Sequence, residues 1–279
     1  MNPRDGSLQK KTSFYYPFLL LPPSKRGAME FLYRYCWAAD DISDGPHALS
    51  HKKKELALFG KKLKDAFAGQ AHDALFKGLQ GTIELFDMSY EPLSRILKGV
   101  ERDLRPVRFK NFTELHRYAL QVAGGPGLAS MEVFGFKDKA HRSYAENLGV
   151  FLQLVNIVRD FKEDKAMDRQ YLPTADFKRF HLNPDSVEEG NSHWKPFVEF
   201  QLDRAWTFLE RARRSLTLHQ RSELMTAEAI GAVYVKLYQK LRHNPHRILR
   251  ERTSLSAPDK FLSVVGSAGR CALWKLADR

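Results

Sequence analysis

Cysteine is scarce in this chain. The 279 residues include two, Cys36 and Cys271, far apart and in no CxxC or other zinc-ligand spacing. Nothing in them demands an oxidising compartment, and no zinc site is expected. Long apolar runs are missing as well. No stretch approaches the ~18 uninterrupted apolar residues that a membrane span needs, and mean hydropathy is −0.46. The N-terminus lacks a signal-peptide layout, because Arg4 and Lys10–Lys11 lead only into the short run Phe18–Leu21 before Pro22–Pro23. The expectation is a cytoplasmic protein, with peripheral contact at a membrane surface left open. Alternating strand patterns, a fixed-period repeat and a Pro/Gly/Ser-rich linker are also lacking, which argues against β-rich, solenoid and divided architectures. No Gly-rich dinucleotide fingerprint is present, although its absence does not decide whether NADPH is used.

What the chain has is positive charge and helical periodicity. Lys and Arg number 45 against 33 Asp and Glu, a formal net charge of +12. Such an excess suits nucleic acid, an anionic membrane surface or an anionic substrate; no nucleic-acid-binding module is recognisable, so no nucleic-acid partner is expected. Apolar residues recur near a 3.6 period over Arg26–Asp44 (Ala28, Phe31, Leu32, Tyr35, Ala39, Ile42), and Gly45–Pro46 closes that element. A looser helical pair is expected over about 57–86. Another helix is expected after Asn111 with Thr113 as its cap, loosened at Gly124-Gly125-Pro126-Gly127. One long helix is expected from Tyr144 to about Lys165, then a surface loop over His181–His193 and helices over Phe197–Leu216 and Ala227–Leu241. The tail from His246 is basic, with scattered apolar residues and Trp274, and is expected to pack as a final helix. The whole reads as one all-α domain over residues 1–279.

Two acidic stripes stand out. Asp40 and Asp44 lie four apart at the end of the first helix, so both carboxylates project from one face. Like charges at that spacing repel by roughly 0.2–0.5 kcal/mol, and a helix C-terminus disfavours each anion by ~0.3–1 kcal/mol. Tyr33 and Trp37 continue the stripe backwards. In the second stripe Gln153, Asn156, Asp160 and Asp164 follow 3–4 residue steps on an otherwise apolar helix, and Asp160 and Asp164 repeat the DxxxD spacing. A shared cation is the simplest compensation, and carboxylate oxygens suit Mg²⁺, with Mn²⁺ as the alternative. None of the ten histidines is given a catalytic role, and Arg102, Arg105 and Arg108 read as a solvated basic face.

Ser13-Phe14-Tyr15-Tyr16, Leu20-Leu21-Pro22, Leu32-Tyr33 and Cys36 leading into Asp40-Asp41-Ile42-Ser43-Asp44 resemble the opening of bacterial squalene/phytoene synthases. Val122-Ala123-Gly124 with Gly127 resembles the family's middle motif. Gln153 to Asp160, with Glu163-Asp164 and Arg169-Gln170-Tyr171-Leu172-Pro173, resembles its second aspartate motif. Within the family the likeness is to hopanoid-pathway enzymes that make presqualene diphosphate or act on it. The resemblance implies an isoprenoid-synthase helical bundle around a central cavity, with Mg²⁺ held by Asp40, Asp44, Asp160 and Asp164 at its mouth. It implies that Arg159, Arg169 and Tyr171 steady a diphosphate, with Asn156 and Gln153 beside it. Ser13, Phe14, Tyr33, Tyr118 and Tyr234 would line the site, Tyr118 counted with the catalytic group.

The implied reaction joins two farnesyl diphosphates through a cyclopropane, presqualene diphosphate. Some relatives continue to squalene with NADPH, to hydroxysqualene or to dehydrosqualene, and C20 substrates give phytoene; the sequence leaves these open, along with the oligomeric state. Two departures bear on the product. Trp37 stands where relatives usually carry Arg, removing a phosphate contact, and Pro126 stands where an aliphatic residue is usual. Either is also compatible with a non-catalytic homologue acting as an assembly factor.

Overall fold

The computed structural model describes residues 12–277; Arg4, Lys10 and Lys11 of the N-terminal run and the last two residues of the basic tail lie outside the described residues. After a single turn, α1 (Tyr15–Phe18), Pro22 and Pro23 open α2 (Pro23–Asp44). Proline suits a first helical turn because its missing N–H would have no partner there. α2 buries Ala28, Leu32, Tyr35 and Ala39 on one stripe, so the sequence period becomes its packing face. The expected looser pair is α3 (Leu49–Phe67) and α4 (Ala74–Phe86), and Asp73 caps α4 by accepting from the Phe76 N–H at 3.0 Å. α5 (Tyr90–Asp103) follows.

α6 (Phe112–Ala119) begins two residues earlier than Thr113 capping requires. Asn111 is extended and accepts from the Glu114 N–H at 3.1 Å, while Thr113 is already inside the helix. The Gly-Pro segment loosens the chain as expected. Leu120–Gly124 forms a π-helical turn, the Gly125 N–H reaching back to the Leu120 carbonyl, and α7 (Gly125–Phe134) continues from it.

The long helix expected from Tyr144 to Lys165 is divided. α8 (Lys139–Arg159) and α9 (Phe161–Ala166) meet at Asp160, whose φ −94° and ψ 11° depart from helical values. Hydrogen bonds of 2.8 Å from the Asp160 N–H to Asn156 and from the Asp164 N–H to Asp160 bridge the break. α10 (Thr174–Arg179), α11 (Trp194–Arg214), α12 (Leu218–Glu223), α13 (Met225–His243) and α14 (Ala257–Ala277) complete the helices. Two short strands, β1 (Val107–Arg108) and β2 (Arg169–Gln170), pair in parallel, Val107 opposite Arg169. This pairing carries Arg169 to the end of α5.

One apolar cluster runs from Phe18 to Val264. α8 lies at its centre, packed on α11, α13, α7 and the π turn. The approach is close at Gly149, where a Cβ would come within 2.5 Å of the Ala123 carbonyl oxygen. Backbone that near leaves room for hydrogen alone. Gly149→Ala is therefore expected to lower stability by about 1–3 kcal/mol, read as a fall in thermal midpoint; an unchanged midpoint would show that α8 shifts without penalty.

Candidate active site

The C-terminal turn of α2, the end of α5 and α9 bring Asp40, Asp44, Asp103 and Asp164 within electrostatic range of one guanidinium, that of Arg169. Arg169 Nη1 donates to Asp44 Oδ1 at 2.7 Å, and Nη2 donates to the carbonyls of Asp103 at 3.3 Å and Ser43 at 3.4 Å. Negative charge exceeds positive there. Asp40 faces water at the mouth of a cavity but has protein on most sides. Burial, then repulsion from Asp103 and Asp44, pushes its carboxyl up to about 7 against the opposing pull of Arg169. Burial, then Asp160, pushes Asp164 up to about 8.

Asp103 is a site residue that the sequence reading passed over. Tyr118 donates to its Oδ2 at 2.7 Å and Tyr171 to its Oδ1 at 2.8 Å, and the two phenol rings stack with centroids 5.2 Å apart. Burial raises its carboxyl, and the tyrosine hydrogen bonds moderate the rise. Tyr118 thus sits under the acidic cluster. The signal in the sequence was faint, since Asp103 lies among Arg102, Arg105 and Arg108. Those arginines do face solvent, where Arg102, Arg105, Arg108 and Lys53 line a basic cleft of about 460 Å³ beside the site.

The second DxxxD pair is not electrically equivalent to the first. Burial raises the Asp160 carboxyl, but bonds to Arg159 and Arg252 outweigh it and hold it below the usual range. Arg159 Nε donates to its Oδ1 at 2.7 Å and Arg252 Nε at 2.6 Å. Arg252 was not foreseen, since it arrives from the tail. Asp160 is neutralised by side chains, whereas Asp164 is not.

Above the carboxylates an apolar cavity of about 310 Å³ is lined by Phe14, Tyr33, Trp37, Phe134, Leu152 and Tyr234, with Asp40, Gln153 and Asn156 as polar members. Phe14 lies 6.1 Å from Tyr33 and 6.5 Å from Tyr234, centroid to centroid. Trp37 and Pro126, the two departures, both reach the cavity wall. Ser13 is half-buried at the start of the described chain and is not among the cavity-lining residues. Asn156 Oδ1 and Glu163 Oε2 are buried without a hydrogen-bond partner among the described residues. Unpaired oxygens beside carboxyls raised by burial and mutual repulsion fit a hard, oxygen-seeking cation.

The profile of the family described as Squalene/phytoene synthase matches residues 8–259. A 15-cis-phytoene synthase from Synechocystis is 30% identical over 273 residues, 93% of this chain and 81% of that protein. A chloroplastic phytoene synthase from an Oncidium hybrid is 29% identical over 266 residues; the match covers 92% of this chain but 65% of the plant protein's length. Among solved structures, a dehydrosqualene synthase in complex with ligand superposes with a TM-score of 0.80 at 22% identity, covering 94% of this chain and 92% of the other.

Relief of repulsion gives a prediction with a defined sign. A carboxyl whose pKa rises on folding stabilises the fold while protonated, and that contribution is lost as pH climbs. For Asp164 the window runs from the ordinary value near ~4 to about 8. Without divalent cation, Asp164→Asn is expected to melt higher than wild type at pH 8, by roughly 2–4 °C per kcal/mol relieved, and by a smaller margin at pH 5. Equal melting at both pH values would show that Asp164 carries no such strain.

Proposed function

The chain belongs to the squalene/phytoene synthase family, and from that premise we propose that it condenses two farnesyl diphosphates head to head to presqualene diphosphate. The observation that carries the reading is a cluster of under-compensated carboxylates, Asp40, Asp44, Asp103 and Asp164, around Arg169, with Asp40 at the mouth of a largely apolar, aromatic-lined cavity. Asp40, Asp44, Asp160 and Asp164 would hold divalent cations, Mg²⁺ or Mn²⁺, whose charge when bound draws the diphosphate away from its allylic carbon. Arg169, Arg159 and Tyr171 orient the diphosphate oxygens, while Asn156 and Gln153 supply polar contacts between head group and chain. Phe14, Tyr33, Trp37 and Tyr234 present ring faces and no nucleophile to an allylic cation, and they exclude water from it. The Tyr118–Asp103–Tyr171 network holds the floor of the site as charge moves above it. Residues 1–279 act as one catalytic domain in this proposal.

A cavity of about 310 Å³ lies within the range of roughly 300–1,000 Å³ usual for ligand pockets, and its apolar lining suits prenyl chains. A C20 substrate giving phytoene is the second reading, favoured by the phytoene synthases among the relatives. Incubation with Mg²⁺ and either farnesyl or geranylgeranyl diphosphate, with and without NADPH, followed by mass spectrometry, separates them. Presqualene diphosphate or a C30 product is expected, a C40 product would favour the second reading, and no product from either would remove both. Asp40→Asn is expected to lower turnover by about 10²–10³. Trp37→Ala, which deepens the cavity, is expected to raise the share of C40 over C30 product.

A hydrophobic product also gives meaning to α14. Among the described residues no helix is long and apolar enough to cross a membrane, yet Phe261, Leu262, Val265, Leu273 and Leu276 are half or more exposed along its outer side. With Arg270 and Lys275 exposed beside them, this stripe is proposed to rest on an anionic bilayer surface. Flotation with vesicles containing phosphatidylglycerol should recover the wild type and lose Leu262→Glu/Leu273→Glu; equal recovery would remove the proposal.

A further inference from the structure

The segment joining α2 to α3 gathers three side chains that the reaction does not use. His51 and Glu55 lie one turn apart on α3 and share a face, with His51 Nε2 3.2 Å from Glu55 Oε1. His47, four residues before His51, places its ring centroid 4.6 Å from that of His51. One ligand atom from each of the three lies within 4.8 Å of the others. Two donors bound to one zinc ion at ~2.0–2.2 Å sit no more than about 4.4 Å apart, so a small side-chain rotation closes the shell. Both histidines are exposed and Glu55 is half-buried, so an ion can reach them. The sequence reading passed over this set, although His47 and His51 stand at HxxxH spacing.

We propose that His47, His51 and Glu55 form a second metal site, chemically distinct from the carboxylate cluster, for a borderline transition ion such as Zn²⁺. Two imidazole nitrogens and one carboxylate suit Zn²⁺, whereas Mg²⁺ favours all-oxygen shells. Three protein ligands leave a further position to water.

The site has a mechanical setting. His47 follows Asp44 by three residues, and the intervening turn is already tied down. The Gly45 N–H donates to the Asp41 carbonyl at 2.9 Å, and Lys52 Nζ donates to the Ser43 carbonyl at 2.8 Å. An ion shared by the turn and α3 adds a third tie, fixing the C-terminal end of α2 that presents Asp40 and Asp44. The site is thus a brace for the first aspartate pair.

The probe is ZnCl₂ titrated calorimetrically into the full chain in excess Mg²⁺, with thermal melting alongside. Wild type should bind one Zn²⁺ per chain and melt higher with it. Loss of an outer-shell partner weakens metal sites by about 10–100-fold, so His51→Ala and His47→Ala, which remove direct ligands, should weaken Zn²⁺ at least tenfold and abolish the rise in melting. Asp164→Asn should bind Zn²⁺ as wild type does. Because the three ligands sit at the surface, the metal-free variants should melt as wild type does, which separates ligand loss from misfolding. Failure of wild type to bind, equal affinity in the histidine variants, or loss in Asp164→Asn instead would overturn the proposal.

Discussion

The constraint on which this structure depends is an excess of carboxylate over cation in a confined space. Asp40, Asp44, Asp103 and Asp164 converge on Arg169, and the fold accepts the resulting repulsion instead of removing it. The nearby Asp160, paired with Arg159 and Arg252, shows that the chain can neutralise a carboxylate within the same site. Sites that bind charge late are held at a cost in stability, and raised carboxyls at a cavity mouth have that character.

Much of the architecture serves to hold those charges in place. The parallel pairing of β1 and β2 brings Arg169 to the end of α5. Gly149 lets α8 approach the π turn closely, and Gln153 and Asn156, further along α8, lie on the cavity wall. At Asp160 the backbone leaves helical values; Asp160 keeps Arg159 and Arg252 as partners, while Asp164, on α9, lies within electrostatic range of Asp103 and Arg169. Two aspartates that the sequence spaces like a matched pair thus differ in electrical surroundings.

Helical class, the α2 stripe and the aspartate spacings were legible because each depends on residues three or four apart, a distance over which helix geometry acts directly. The break at Asp160 was not, since neither glycine nor proline marks it. Asp103 escaped for a different reason. Its partners Tyr118 and Tyr171 come from 15 and 68 positions away, and its immediate neighbours are arginines that do belong to the surface. Arg252 comes from a tail 92 positions beyond Asp160. Local pattern finds side chains that share a helix face; it does not find partners delivered by chain crossings.

The central claim is that this acidic mouth is completed by divalent cation and diphosphate together. Calorimetric titration with an unreactive thio-analogue of farnesyl diphosphate, with Mg²⁺ and with the cation chelated, tests it directly. The account predicts tight binding that depends on Mg²⁺ and is lost in Asp40→Asn/Asp164→Asn. Equal affinity with and without the cation, or binding unaffected by loss of both aspartates, would contradict it.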